Sequence, residues 1–179
     1  IKICRDHCGP GFNGKQNIND VYKTIDSDIE NNFDLIHVDF SKAKKNYKQI
    51  LKLSKEAILY IKKIKPKVEI EIGTDENFAQ KLSSINIKEF LNEMDYFLEF
   101  MDPEYFVVPT GSLVMEDNQF GFFNHKFIKS VYQRIKNRAI LRQEYNAASL
   151  NSESINLRDV FISALNIAPK FGVFQTKFV

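Results

Sequence analysis

Short apolar segments that end on a charged or glycine-containing turn alternate about five times with longer amphipathic segments, and this alternation constrains the fold most. Ile1, Ile3 and Cys4 read as the end of a strand. Arg5-Asp6-His7 follows, and Gly9, Pro10 and Gly11 then forbid both strand and helix. Ile18, Val21, Tyr22, Ile25 and Ile29 recur at helical spacing and predict a helix over 18–31, capped by Asn19 or Asp20. A second strand over 33–40 passes through Asp39, and Ser41 is placed to cap a long helix over 44–63 that Pro66 breaks. The third strand, 68–74, alternates Val68, Ile70 and Ile72 with Glu69 and Glu71 and closes on Gly73. Beyond it the pattern predicts a helix over 87–101, a strand over 105–108 and a loop through Asp117, Asn118 and Gly121. A helix over 125–136, a strand over 139–142, a short helix over 156–161 and a last strand over 161–167 follow.

Strands alternating with helices in this way must run parallel, joined by right-handed crossovers. An open doubly wound sheet and a (β/α)8 barrel both satisfy that rule. Polar residues follow at least five of the six strands, and a barrel gathers all its strand ends into one site, whereas an open sheet offers one switch point. The expected fold is therefore α/β, a (β/α)8 TIM barrel. Such a barrel needs eight units and typically ~250 residues, while this sequence has 179. It reads as a single barrel domain over 1–179, incomplete, carrying about strands three to eight of a longer chain.

Composition narrows the function classes. A net charge of +2 is too small to argue for nucleic acid, and the lysines between 42 and 67 alternate with Ile, Leu and Tyr as on the wet face of an amphipathic helix. No apolar run approaches a membrane span and no signal peptide is apparent. Cys4 and Cys8 lack the second pair that a zinc framework or a disulfide scaffold needs, so a reducing cytoplasm is expected.

The chemistry-bearing residues stand at strand ends. On a regular pleat Asp6 and His7 point to opposite sides, so one can act as a base while its neighbour holds something in place. Glu69 and Glu71 share one face of an otherwise apolar strand, which is costly unless that face meets a metal, a cation or water. His7 and Glu71 suit Zn²⁺, and a catalytic zinc wants about three protein ligands plus an open position. Asp6 beside the metal is then a candidate general base, removing a proton next to a polarised carbonyl. That is the chemistry of a class II aldol reaction through a metal-stabilised enediolate. The backbone of Gly111 and Ser112, and the turn that starts at Asn166, lie where barrels commonly bind phosphate.

Five segments in register carry a resemblance. Arg5-Asp6-His7-Cys8-Gly9-Pro10, Leu35-Ile36-His37-Val38-Asp39, Glu69-Ile70-Glu71-Ile72-Gly73-Thr74, Pro109-Thr110-Gly111 and Leu165-Asn166-Ile167-Ala168-Pro169 together resemble the class II, zinc-dependent aldolase superfamily. The similarity is greatest to its tagatose-1,6-bisphosphate aldolase branch. The resemblance implies Asp6 as the proton-transferring base, His7 as a zinc ligand and Glu71 as the acid that approaches or binds the metal. It also implies supporting catalytic roles for Asp39 and Glu69, and substrate contact near the phosphate for Asn166. The implied substrate is a phosphorylated sugar or triose phosphate, acted on by a homo- or hetero-oligomer.

The chain departs from that pattern in its histidines. The family draws further histidine ligands from later strands, where this chain has Pro109-Thr110-Gly111 and Glu144-Tyr145-Asn146. His37 shares a face with Asp39 and can point inward, although a packed histidine is the commoner role for such a residue; Glu116 and Asp117 are other candidate ligands. Two further functions are therefore kept beside the lyase. One is a non-catalytic barrel that assembles with a catalytic aldolase subunit, and the other an aldolase-like domain of a carbohydrate-assembly enzyme. The Phe-rich stretches 97–106 and 120–127 read as packing, with a sugar platform at Phe122 or Phe123 as the alternative.

Overall fold

The computed structural model of the chain describes residues 1–73, 84–110, 113–115, 118–120, 123–145 and 158–166, with isolated positions 156 and 175. The chain divides into two compact units, Ile1–Thr74 and Asp75–Val179. Each is α/β with parallel strands.

In the first unit, β1 (Cys4–Cys8), α1 (Ile18–Glu30), β2 (Leu35–Val38), α2 (Tyr47–Ile64) and β3 (Glu69–Ile72) follow one another. β1 pairs parallel with β2, and β2 parallel with β3. Helix α1 is capped by the side chain of Asn17, which accepts from the Asn19 N–H, rather than by Asn19 or Asp20. Helix α2 starts three residues later than the apolar pattern suggests. Asn46 and Gln49 form a capping box there, and two reciprocal bonds outcompete the single one that Ser41 offers. Each helix turns a buried stripe inward, Val21, Ile25 and Ile29 from α1 and Ala57, Ile58 and Ile61 from α2. Tyr60 donates to Asp26 (2.7 Å) and meets Tyr22 edge to face, tying the two helices together.

Register decides what each sheet face carries. Arg5, Ile36 and Ile70 are paired neighbours, and Arg5 bonds Asp28 of α1 through both its Nε (2.6 Å) and its Nη2, so this face looks toward the helix. His37 and Glu71, also paired, lie on the opposite face.

In the second unit, α3 (Ser84–Leu98), β4 (Tyr105–Pro109), β5 (Leu113–Met115), β6 (Asn118–Phe120), α4 (His125–Ile135), β7 (Leu141–Tyr145), a 3₁₀ turn (Asp159–Phe161) and β8 (Ala164–Leu165) follow. β4, β7 and β8 are parallel neighbours, while β5 and β6 form an antiparallel hairpin in a stretch expected to be loop. Phe90, Met94 and Phe97 of α3 and Phe127, Ile128, Val131 and Ile135 of α4 are buried, and the Phe90 and Phe127 rings meet edge to face at 5.4 Å. These phenylalanines pack, as expected. β7 begins later than the sequence pattern indicates, which puts Glu144 inside a strand and fully buried.

No helix among the described residues is long and apolar enough to cross a membrane. Both cysteines are free, Cys4 exposed and Cys8 buried. Burial pushes the Cys8 thiol up to about 12, leaving about a thousandfold less thiolate than at the ordinary value of 9.0. Alkylation of the native protein is therefore expected to modify one thiol readily and the second only in denaturant. Two fast thiols in the native state would contradict the packing of β1.

Candidate metal centre

The centre is built at the C-terminal ends of β1, β2 and β3. Asp6 and His7 do not diverge as a regular pleat requires. His7 has φ +46°, a left-handed conformation rare outside glycine, and the β1–β2 register slips between Arg5 and Cys8. This bulge turns the His7 ring back, and its Nε2 lies 3.6 Å from Oδ1 of Asp6. The ring also stacks on Phe12 (centroids 4.5 Å, 13° between planes), and the Lys42 ammonium sits 4.5 Å from the same Phe12 ring. A left-handed residue held this way stores of order 1–3 kcal/mol, which persists only where its surroundings enforce it.

His37 comes from the neighbouring strand and is 3% exposed. Its Nδ1 lies 3.5 Å from the same Oδ1 of Asp6, and the two imidazole rings are 5.0 Å apart. Asp6 Oδ1, His7 Nε2 and His37 Nδ1 therefore face one another, and ligand atoms of these three residues all lie within 4.8 Å.

The far nitrogen of each ring fixes its tautomer. His37 Nε2 is 2.9 Å from the carbonyl oxygen of Gly73, and His7 Nδ1 is 3.0 Å from Oδ2 of Asp39. Both partners only accept, so both far nitrogens carry hydrogen and donate. The near nitrogens face Asp6, to which each can donate when its ring is protonated, and each offers a lone pair to a cation when its ring is neutral. Metal-binding histidines are oriented in this manner by an outer carbonyl or carboxylate. Asp39 is itself held, its Oδ1 accepting from the Ser41 N–H at 2.8 Å.

The electrostatics call for positive charge. Asp6, Asp39 and Glu71 surround two imidazoles, and Glu71 Oε1 lies 3.8 Å from His37 Nδ1. Burial draws the His37 proton affinity down, but the Asp6 contact and the charges of Glu71 and Asp39 outweigh it, and the net shift is upward. The His37 contact holds the Asp6 carboxyl below its usual range against some desolvation. Burial would raise Asp39, yet the bond from His7 and the neighbouring His37 bring it below the usual range. Two imidazole nitrogens and a carboxylate oxygen, with one side open, make a donor set that fits a catalytic divalent metal. A cleft of about 390 Å³ borders Asp6 and His7 and is lined further by Phe12, Lys15, Asn17 and Thr24.

Of the residues singled out from sequence, Asp6, His7, Asp39 and Glu71 meet in this unit, together with His37, for which a packed role was the commoner expectation. Glu69 opens β3 at its other end, where it takes an ion pair from Lys2 at 2.5 Å. Asn166 belongs to the second unit, where its N–H donates to the Glu144 carbonyl at 3.0 Å. Gly111, Ser112, Glu116, Asp117, Phe122 and the turn 167–172 lie outside the described residues. The Phe123 ring carries the Arg158 guanidinium at 4.6 Å. Sequence reasoning did not single out Phe12 or the Gly73 carbonyl, because neither residue type signals a metal site.

No family model, curated protein or solved structure matches the chain.

Proposed function

We propose that the chain is a metal-dependent lyase of the class II aldolase type, acting on a phosphorylated sugar or triose phosphate. In this reading its parallel strands are about the third to the eighth of a (β/α)8 barrel. One observation carries the proposal: two imidazoles whose tautomers are fixed from outside converge with a carboxylate oxygen at adjacent strand ends. His7, His37 and Asp6 would hold the ion, and zinc is the metal proposed. Such an ion supplies Lewis-acid polarisation of a substrate carbonyl, which acidifies the neighbouring C–H. Asp39 orients His7, and the Phe12 face shields that ring on one side. A neighbouring carboxylate moves the proton.

Dialysis against chelator, followed by calorimetric titration with Zn²⁺, tests the metal. Wild type is expected to take one ion per chain. His7→Ala and His37→Ala should each weaken binding by more than about 100-fold, beyond the 10–100-fold usual for losing an outer partner. With zinc restored, wild type should cleave a ketose 1,6-bisphosphate to triose phosphates. Absence of zinc binding would overturn this reading, and a metal-free chain that binds a catalytic aldolase subunit would favour the assembly partner instead.

A further inference from the structure

One buried carboxylate beside the three converging groups is not among them. Glu71 is paired with His37 across β2 and β3, is 7% exposed, and brings Oε1 to 3.8 Å from His37 Nδ1. Among the described residues the mutually close ligand atoms belong to Asp6, His7 and His37, and Glu71 is outside that set. We propose that Glu71 is the proton-transferring carboxylate of this site and that Asp6 closes the metal's ligand set, the reverse of the roles implied by family resemblance. The assignment rests on the lyase function proposed above.

Three features of the site support it. Oδ1 of Asp6 lies 3.5 and 3.6 Å from the two imidazole nitrogens, so it is within reach of an ion that engages both. A carboxylate whose charge is committed to an ion is a poor proton acceptor, and Glu71, 3.8 Å from His37 Nδ1, lies outside the mutually close set that Asp6 completes. Exposure separates the two acids as well, since the Asp6 side chain is 81% exposed and that of Glu71 10%. A base in that sheltered position is shielded from bulk solvent, and the exclusion of water strengthens its interaction with charge developing nearby. His37 and Glu71 are also fixed side by side by strand register, which gives the base a rigid mount.

The step is a proton transfer. The C–H bond next to the substrate carbonyl breaks, its proton passes to a Glu71 oxygen, and the electron pair moves onto the carbonyl oxygen to give the enediolate. Return of a proton from Glu71 restores the ketone, so in D₂O the step reads out as deuterium entering the substrate.

The experiment uses the full chain loaded with Zn²⁺, dihydroxyacetone phosphate in D₂O as probe, and two readouts: zinc per chain and deuterium incorporation by proton NMR. Glu71→Gln is expected to hold as much zinc as wild type while exchange falls by about 100-fold or more. Glu71→Asp should recover part of the exchange, and Asp6→Asn should lose zinc. Glu71→Gln that releases zinc, or that exchanges at the wild-type rate, overturns the assignment, as does Asp6→Asn that keeps its zinc. A zinc-loaded wild type that exchanges nothing removes the lyase function and the Glu71 role with it. Failure of the Glu71 role alone is recognised by an active wild type matched by Glu71→Gln.

Discussion

Arg158→Ala is expected to destabilise the protein by about 3–5 kcal/mol, the usual consequence of leaving one member of a buried ion pair alone. Glu144 is 0% and Arg158 3% exposed. The guanidinium reaches both carboxylate oxygens, Nη2 to Oε1 at 2.7 Å and Nε to Oε2, and Thr110 donates its hydroxyl to Oε1 at 2.8 Å. Truncating Arg158 leaves a buried carboxylate with Thr110 as its remaining neutral donor among these contacts, and removes the cation from over Phe123. For a chain of this length the loss corresponds to a fall in Tm of roughly 6–20 °C. Thermal unfolding followed by circular dichroism measures it.

A paired replacement separates the ion pair's net worth from the penalty of breaking it. Glu144→Leu with Arg158→Met removes both charges and keeps comparable volume, so most of the lost stability should return. If Arg158→Ala melts within 2 °C of wild type, Glu144 is not held as described. If the double variant is no better than the single one, packing of the Arg158 stem outweighs its charge.

What the sequence could reveal follows from the range of the interactions involved. Apolar spacing is local, so Val21, Ile25 and Ile29, or Phe127, Val131 and Ile135, announce their helices directly. Caps are nearly as local, yet Ser41 and Asn46 compete for one helix, and the reciprocal bond with Gln49 decides between them. The strand pattern marks Glu69 and Glu71 as sharing a face, which is sound. It does not say that the strand's length separates them, with Lys2 meeting one and His37 the other. At Asp6 and His7 the alternation rule itself fails, because a left-handed residue inside a bulge is set by what packs on it, here Phe12. The bonds from His7 to Asp39 and from His37 to Gly73 span 32 and 36 residues. Only strand register brings such partners together, and no local pattern encodes it.

Gly9→Ala should unfold a large part of the first unit, or at the least cost about 3 kcal/mol, the upper end for overpacking. A Cβ built on Gly9 falls 1.6 Å from the carbonyl oxygen of Asp39 and 2.7 Å from its carbonyl carbon. Both are backbone atoms at the end of β2, where the Asp39 N–H already donates to the Cys8 carbonyl at 3.1 Å. Neither strand can yield without breaking that bond. Displacing Asp39 also frees Nδ1 of His7, so zinc affinity should fall by about 10–100-fold even in whatever fraction stays folded. Gly14→Ala is the informative control. Gly14 has φ +79°, but an added Cβ there meets nothing within 4 Å, so the expected cost is the backbone term alone, about 1 kcal/mol. A Gly9→Ala protein with the melting temperature and zinc affinity of the Gly14→Ala variant would mean that β1 and β2 do not approach this closely. His7 would then have lost the carboxylate that orients it, and the metal centre its geometry.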